Sequence, residues 1–409
     1  MSLPSLVLLC VLALIAARQL GPIRVSPWQA MLAGAAVVVL AGSIGPAQAL
    51  RAIDPRVMVF LFSAFVIGEA LLQSGYLYAL AYRAGARLRS PNALLWALVW
   101  SAGLGSCLLM NDALAIVGTP LVLRLAREHD LEPEPLLLAL AFAVTTGSVM
   151  SPIGNPQNLL IAVHGGMAAP FVSFLRHLAL PTLLSLTLTA LAVHLGCRLA
   201  PRGRTLAPAA AAVRDFRLAR LARAALLLVL ALIVVKVALV VTGLRWGPPL
   251  WAIAAAGALP ILAFSPARGR LLHRLDWSTL VFFAAMFVLM HSVWRTGELQ
   301  RLLGASPLAL HSTAAILGAG IALSQVISNV PMVALSLPLL PGGGLHETSR
   351  LALAAGATLA GNLTLLGAAS NIIVVQGAER LGVRLSFMRF ARIGVPLTAA
   401  QALIFWWLL

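Results

Sequence analysis

The chain has 409 residues, of which 61% are apolar and 10% charged, and its formal net charge is +17. This composition excludes a soluble globular protein, because such proteins carry about a quarter charged residues. It also argues against nucleic-acid binding, since a nucleic-acid binder gathers its basic residues on a folded polar domain and this sequence offers none.

Apolar runs long enough to cross about 30 Å of hydrocarbon recur along the chain. In chain order, each half contains three spans, a helical hairpin, a broken span and a final span. The first half comprises Leu3–Ala17, Trp28–Gln48, Arg56–Tyr82, the hairpin Asn92–Arg127, the broken span Pro135–His164 and Phe171–Cys197. The second half comprises Ala224–Gly243, Pro249–Phe264, Trp277–Leu303, the hairpin Pro307–Leu340, the broken span Arg350–Gln376 and Phe390–Leu409. The first run lacks the flanks of a signal peptide, so we expect it to be retained as a span.

The two halves match each other at a nearly constant offset. Ile53-Asp54 corresponds to Leu275-Asp276, and Ser74-Gly75 corresponds to Thr296-Gly297, in each case 222 residues later. Ser106, Asn111 and Pro120 correspond to Ser324, Asn329 and Pro338, which lie 218 residues later. The segment 154–160 recurs as 367–373, at an offset of 213. Ordered polar landmarks indicate an internal repeat. We predict a first repeat over 1–197, an Arg-rich cytoplasmic linker over 198–223 and a second repeat over 224–409.

The number of crossings predicts the orientation of the halves. Five crossings per half is an odd number, so the halves must be inverted relative to each other, as in many secondary transporters. With the linker in the cytoplasm, 21 of the 29 basic residues lie inside, 7 lie outside, and Lys236 lies within a span. This asymmetry follows the positive-inside rule. We therefore predict an all-α integral membrane protein of ten crossings in a bacterial-type inner membrane, with both termini periplasmic.

Four places within the spans interrupt the helices. They are the hairpin tips 110–112 and 328–331 and the breaks 151–158 and 361–371. Irregular backbone is tolerated at this depth only where protein or a watery cavity surrounds it. Half-helices that begin there direct their positive dipole ends at an anion, while carbonyls and Asn side chains coordinate a cation, which predicts one solute site flanked by two ion sites. The residues predicted to bind solute or ion are Asn111, Asp112, Gly154, Asn155, Asn158, Ser328, Asn329, Gly367, Ser370 and Asn371.

Two acids are candidates for coupling transport to an ion gradient. Asp112 lies at a hairpin tip, where an acid by default marks an ion or proton path, and its repeat partner is Val330. Glu69 lies in the third span, opposite His291 in the repeat. For Lys236 and His291 we favour snorkelling or pairing at an interface. The alternative for the tips and breaks as a whole is that Pro and Gly kink the helices while Asn joins them.

At these residues the sequence resembles the ion transporter superfamily, which includes divalent-anion/sodium symporters, arsenite efflux permeases and sodium/proton antiporters of the D type. Its dicarboxylate symporters carry Ser-Asn-Thr at both tips, where this chain has Met110-Asn111-Asp112 and Ser328-Asn329-Val330. The Asn-Asp tip followed by Thr119-Pro120 is more similar to the arsenite permease branch. The resemblance implies an elevator mechanism, a homodimer, and proton coupling or electrogenic efflux.

These observations predict a secondary active transporter of a small anion or metalloid oxyanion coupled to sodium or protons. The hairpins and broken spans would move against the remaining spans. Two alternatives stay open: a sodium/proton antiporter in which Asp112 serves the cation directly, and an anion channel. No enzyme is expected, because the sequence has no His/Cys metal set and no nucleophile elbow. No cofactor is expected, although sodium ions at the same residues are left open; the expected partners are the solute, sodium or protons, the lipid bilayer and a second copy of the chain.

Overall fold

The computed structural model describes residues 1–20, 25–77, 79–80, 88, 90–167, 169–197, 199, 215–242, 247–298, 312–337, 346–365 and 367–409. Over these ranges the chain folds into 18 helices. The first nine are α1 (Leu3–Leu20), α2 (Pro27–Leu40), α3 (Pro46–Ala52), α4 (Pro55–Gln73), α5 (Pro91–Leu108), α6 (Asn111–Glu128), α7 (Pro133–Ser148), α8 (Pro156–His164) and α9 (Pro170–Gly196). The others are α10 (Phe216–Val241), α11 (Leu250–Phe264), α12 (Arg268–Arg274), α13 (Trp277–Arg295), α14 (Thr313–Ile327), α15 (Asn329–Ser336), α16 (His346–Leu363), α17 (Ala369–Arg380) and α18 (Phe387–Leu408).

The repeat landmarks are the ends of helices α4 and α13. Asp54 and Asp276 are the N-caps, and each carboxylate accepts a hydrogen bond from a backbone N–H of the first turn. Gly75 and Gly297 adopt φ of 73° and 68°, a conformation that stops a helix and that glycine adopts without strain. Both helices therefore end at Gln73 and Arg295, earlier than the predicted spans 56–82 and 277–303.

Two further boundaries differ from the prediction. The second predicted span divides into α2 and α3, because Gly42 at φ 72° and Pro46 end one helix and begin the next. Asp215 caps α10, so residues 216–223 belong to that helix and not to the predicted linker. The remainder of the linker lies outside the described residues, except for Leu199 and Asp215, as do residues 299–311 and 338–345 around the second hairpin.

The chain is a multi-pass membrane protein. Six described helices are long and apolar enough to cross a membrane by length and composition: α4, α5, α9, α10, α13 and α18. Shorter apolar helices of 10–17 residues lie at Leu3–Ile15, Pro27–Leu40, Leu250–Phe264 and Thr313–Ile327. Two interrupted pairs, α7 with α8 and α16 with α17, lie at the predicted broken spans. The total of ten crossings stays a prediction.

The helices pack as two groups. The hairpin group contains α5–α9 and α14–α18, and the flanking group contains α1–α4 and α10–α13. Each group has a hydrophobic core of its own, and a third apolar cluster lies across the boundary between them. The sequence had placed the final spans, α9 and α18, with the flanking helices. In the structure both pack on the broken spans, and the Gln401 Nε2 on α18 donates to the hydroxyls of Thr146 on α7 and Thr189 on α9. Which spans move stays a prediction.

Equivalent helices pack in the same way in both halves. In each half, the first arm of the hairpin packs on the first segment of the broken span of the same half: α5 on α7, and α14 on α16. The second arm packs on the second segment of the broken span of the other half: α6 on α17, and α15 on α8. Glycines permit the close crossings: a Cβ on Gly147 would overlap the Gly103 carbonyl, and one on Gly356 would lie 2.5 Å from the Leu317 oxygen. This pairing is the one expected of the predicted repeat, whose inverted orientation stays a prediction.

The orientation can be tested with a reporter that is active only in the cytoplasm. We expect a fusion after Leu409 to be silent, because the charge asymmetry places both termini outside. The same reporter inserted after Arg204, in the predicted linker, serves as the positive control. A strong signal from the fusion after Leu409 would eliminate the ten-crossing topology.

Candidate functional site

The first break, between α7 and α8, is closed by side-chain amides. The Asn158 Nδ2 donates to the carbonyls of Ser148, Val149 and Ser151 at 3.1, 3.2 and 3.0 Å. Asn155 caps α8, since its Oδ1 accepts from the Asn158 N–H at 2.8 Å. Both asparagines are fully buried. In this structure their amides hold the backbone of the break together. This is the alternative given above for the tips and breaks, in which Asn side chains join the helices.

A residue that the sequence reasoning missed joins this break to the other half of the chain. The Thr358 Oγ1, on α16, lies 3.2 Å from the Asn155 Nδ2 and 3.3 Å from the Asn158 Oδ1. It also accepts from the Gln157 Nε2 at 3.4 Å. A threonine in an apolar helix carries no local signal of such a role. The one signal in the sequence is the repeat offset of 213, which pairs Thr358 with Thr145.

The first hairpin tip docks on the first break. The Asn111 backbone N–H donates to the Gly154 carbonyl at 2.9 Å, and the Ser151 hydroxyl donates to the Cys107 carbonyl at 2.6 Å. A Cβ on Gly154 would lie 2.6 Å from the Ser148 oxygen, so this close approach requires glycine. The structure thus brings the predicted residues Asn111 and Gly154 together.

The second break, between α16 and α17, repeats these bonds at the offset of 213. The Asn371 Nδ2 donates to the carbonyls of Gly361 at 2.6 Å and Thr364 at 3.4 Å, which correspond to Ser148 and Ser151. Gln325, on α14, joins the hairpin to the break through the Ala360 carbonyl at 2.6 Å and the Thr364 hydroxyl at 2.9 Å. Gly367 is again a position of close approach, because a Cβ there would lie 2.6 Å from the Ala360 oxygen.

The second break differs from the first in its unpaired oxygens. Ala368 stands where the first break has the cap Asn155, and it provides no side-chain cap. The counterpart of the Thr358–Asn158 hydrogen bond would join Thr145 and Asn371, but both the Thr145 Oγ1 and the Asn371 Oδ1 are buried without a partner among the described residues. At this break and at the adjacent hairpin tip, three further buried oxygens have no partner within the described ranges: Asn362 Oδ1, Ser370 Oγ and Asn329 Oδ1.

Unpaired buried acceptors are costly, so this cluster is suited to a ligand. Thr145 lies against the break, since a Cβ on Gly361 would be 2.9 Å from its side chain. The amide of Asn362 is fixed by donating to the Thr146 hydroxyl at 2.9 Å and the Gln401 Oε1 at 3.0 Å, which leaves its Oδ1 as the free end. Other unpaired hydroxyls are dispersed among the helices, for example those of Thr182 and Ser292.

The second hairpin tip carries backbone strain. Ser328 adopts φ 69°, a left-handed conformation that costs a non-glycine residue about 1–3 kcal/mol. Asn329 follows as the first residue of α15 and is 7% exposed. Asn111 occupies the same place at the start of α6, so both asparagines begin the second arm of their hairpin, as their matching positions in the repeat predicted.

The two candidate coupling acids have different surroundings. The Asp112 carboxylate is half-buried in the first turn of α6, and among the described residues no hydrogen bond or ion pair is made to it. It lies within electrostatic reach of another acid, Asp276. The Glu69 carboxylate accepts from the Gln73 Nε2 at 2.7 Å within its own helix. The Lys236 Nζ donates to the Pro248 carbonyl at 2.9 Å.

Comparisons with known proteins agree with a membrane transporter. The citrate transporter family model matches residues 10–353. An uncharacterized transporter of Mycobacterium tuberculosis is 30% identical over 411 residues, covering 94% of each chain. The silicon efflux transporter LSI3 of Oryza sativa subsp. japonica is 35% identical over 154 residues, which are 38% of this chain and 31% of its own. The crystal structure of the YdaH transporter of Alcanivorax borkumensis matches with a TM-score of 0.58 and 18% identity over 99% of this chain and 97% of its own, which is a likeness of fold.

Proposed function

The chain belongs to the citrate transporter family, and we propose that it is a secondary active transporter that couples a small anion or metalloid oxyanion to sodium or protons. The observation that carries the proposal is the buried cluster of unpaired oxygens at the second break. In our proposal the hairpin group carries this site past the flanking group, in an elevator-type movement.

The boundary between the two groups supports such a movement. Apolar side chains from both sides meet there, for example Phe60 and Phe283 from the flanking group and Met110 and Ile153 from the hairpin group. Dispersion contacts between apolar surfaces are individually weak and lack direction, so one group can slide against the other without breaking specific hydrogen bonds. The buried hydrogen bonds of Thr358 and Gln401 lie inside the hairpin group, which keeps the site intact during the movement.

The chemistry of the second break supports both a cation and an anion as ligands. The free Oδ1 atoms of Asn329, Asn362 and Asn371 are neutral acceptors, which suit sodium. The N-terminus of α17 has no side-chain cap, so its N–H groups and the nearby Ser370 hydroxyl are placed to bind an oxyanion. A coupling ion and a solute would thus bind side by side.

The lack of cationic side chains at the tips and breaks favours a solute of low charge. The tips and breaks, over 106–115, 148–158, 324–334 and 361–371, contain no Lys or Arg. Three carboxylates, as in citrate, would lack a cationic side chain there, whereas a weakly ionised metalloid oxyanion needs only hydroxyls, amides and helix N-termini. The likeness of part of the chain to a silicon efflux transporter points to the same class.

The substrate class can be tested by thermal stabilisation of the purified protein. A ligand that binds the folded state at 100 times its Kd stabilises it by about 2.7 kcal/mol. We propose a panel of arsenite, silicate, sulfate, phosphate, citrate and dicarboxylates, each with and without sodium. Stabilisation by citrate alone would overturn the preference for a solute of low charge.

We expect Asp112→Asn to uncouple transport from the ion gradient. The substitution keeps the shape and the hydrogen-bonding capacity of the side chain but removes a charge that no described residue pairs. In proteoliposomes, the variant should still exchange solute down its gradient while losing accumulation driven by an imposed pH or sodium gradient, a loss of about ten-fold or more. The measurement is solute uptake with and without each gradient.

Glu69→Gln is the matched control for this prediction, because the Glu69 carboxylate already has a partner in Gln73. We expect its gradient response to remain. If Asp112→Asn accumulates solute with unchanged pH and sodium dependence, Asp112 only stabilises the N-terminus of α6 through the helix dipole. Ion exchange that proceeds equally without any solute would favour the sodium/proton antiporter, and flux that does not saturate would favour the channel.

A further inference from the structure

A polar contact joins the two helix groups at one end of the molecule. His164 is the last residue of α8, in the hairpin group, and its Nε2 lies 2.9 Å from the Oδ2 of Asp54. Asp54 is the N-cap of α4, in the flanking group. The rest of the described boundary is built mainly from apolar side chains. This contact is therefore a directional hydrogen bond between the two helix groups, which move relative to each other in the proposed mechanism.

Hydrogen bonds from Arg56 fix the position of the Asp54 carboxylate next to His164. Its carboxylate accepts from the Arg56 backbone N–H and from the Arg56 Nη2, each at 2.7 Å, and its side chain is 10% exposed. Burial alone would raise the pKa of Asp54, but the hydrogen bonds from Arg56 and the nearby charge of His164 outweigh burial and hold the pKa below its ordinary value. The carboxylate is therefore ionised at neutral pH, and it lies within hydrogen-bonding distance of the His164 ring.

The same contact is missing at the other end of the repeat. Asp276, the counterpart of Asp54, caps α13 in the same way and accepts from the Thr279 N–H at 3.1 Å. The counterpart of His164 at the offset of 213 is Gly377, which has no side chain to offer and lies against Thr119. Among the described residues, the bond between the two groups at one end of the molecule thus has no counterpart at the other end.

We propose that His164 and Asp54 form a latch that holds the hairpin group against the flanking group in the conformation seen here and that opens in each transport cycle. The latch rests on the proposed function, because it needs the two groups to move. Because its counterpart is absent, the latch favours one conformation over the opposite one. His164 is 35% exposed, so solvent screens the pair and the expected bias is modest, about two- to five-fold in the ratio of the two states.

A cavity beside the latch provides the site for a probe. Its volume is about 230 Å³, and it lies between the two groups. The hairpin group contributes His164 and Leu335 to its wall, and the flanking group contributes Met286 and His291. When the latch opens and the groups separate at this end, a cysteine in the wall becomes easier to reach from solution.

The experiment uses Leu335→Cys in the full chain with its three native cysteines replaced, reconstituted in vesicles without solute. The readout is the rate of labelling by a membrane-impermeant maleimide. We expect His164→Leu, which removes the bond, to raise this rate about two- to five-fold, and Asp54→Asn, which removes the charge but keeps an acceptor oxygen, to raise it by a smaller factor. The double variant should raise the rate no further than His164→Leu alone, because both substitutions act on one bond. Asn is as good an N-cap as Asp, so Asp54→Asn leaves the start of α4 intact.

Asp276→Asn is the matched control, since it makes the same change at the equivalent cap without touching the latch. We expect its labelling rate to equal that of the parent. Unchanged labelling in both latch variants, an equal rise in Asp276→Asn, or additive effects in the double variant would overturn the latch. Counterflow by the parent of each solute in the stabilisation panel, measured in preloaded vesicles from the same reconstitution, tests the proposed function separately. Its absence for every solute overturns the transporter, whereas counterflow with unchanged labelling overturns only the latch.

Discussion

Thr145→Val is expected to weaken ligand binding by about 10- to 150-fold while leaving the protein folded. The Thr145 Oγ1 is buried and has no hydrogen-bond partner in the described structure, so its removal costs the fold nothing and can stabilise it. If this oxygen contacts a charged ligand at the second break, its loss removes about 1.5–3 kcal/mol of binding free energy. The measurement is the concentration of solute and of coupling ion that gives half-maximal transport in proteoliposomes.

The repeat supplies a control in which the same substitution should do the opposite. Thr358→Val removes the hydroxyl that pairs with Asn155, Gln157 and Asn158, and it leaves their buried polar atoms without that partner. Each such atom costs about 1–3 kcal/mol, so we expect a clear loss of thermal stability. Thr182→Val, which removes a buried and unpaired hydroxyl on α9, should change neither property. An effect of Thr145→Val on stability alone would assign Thr145 to packing.

Gly147→Ala is expected to destabilise the hairpin group severely. A Cβ at this position would overlap the backbone carbonyl of Gly103 on α5, and a backbone atom cannot rotate aside as a side chain can. The first hairpin arm and the broken span would have to separate, which costs about 1–3 kcal/mol or more. We expect the melting temperature of the purified protein to fall by about 5–10 °C, or the folded protein to be lost from the membrane fraction.

Gly318→Ala is the matched control for this prediction. Gly318 is also a helical glycine, on α14, but a Cβ there would meet nothing within 4 Å. Alanine should stabilise the helix by up to about 1 kcal/mol through its higher helix propensity. If Gly147→Ala melts at the temperature of the parent, the close crossing of α5 and α7 is looser than the structure describes, and the first break would not be held rigidly by the first hairpin.

Much of the fold follows from local features of the sequence. Long apolar runs set the membrane class, because only a helix pairs every backbone group inside hydrocarbon. Proline at the first helical position begins seven of the described helices. Asp54 caps one of these seven, α4, and Asp276 caps α13. Glycines such as Gly75 end helices through their own backbone freedom. These effects act within a few residues, so the tips and breaks could be predicted without coordinates.

The tertiary structure alone decided which polar groups are free. Asn158 and Asn371 are the same residue type at equivalent positions, and both donate to the equivalent carbonyls Ser148/Gly361 and Ser151/Thr364. The Asn158 oxygen is nevertheless paired with Thr358, 200 residues away, whereas the Asn371 oxygen has no partner in the described part of the chain. The latch likewise joins residues that are 110 positions apart. A hydrogen bond requires its two atoms within about 3 Å and in line, and no local pattern of sequence specifies that distance between distant residues.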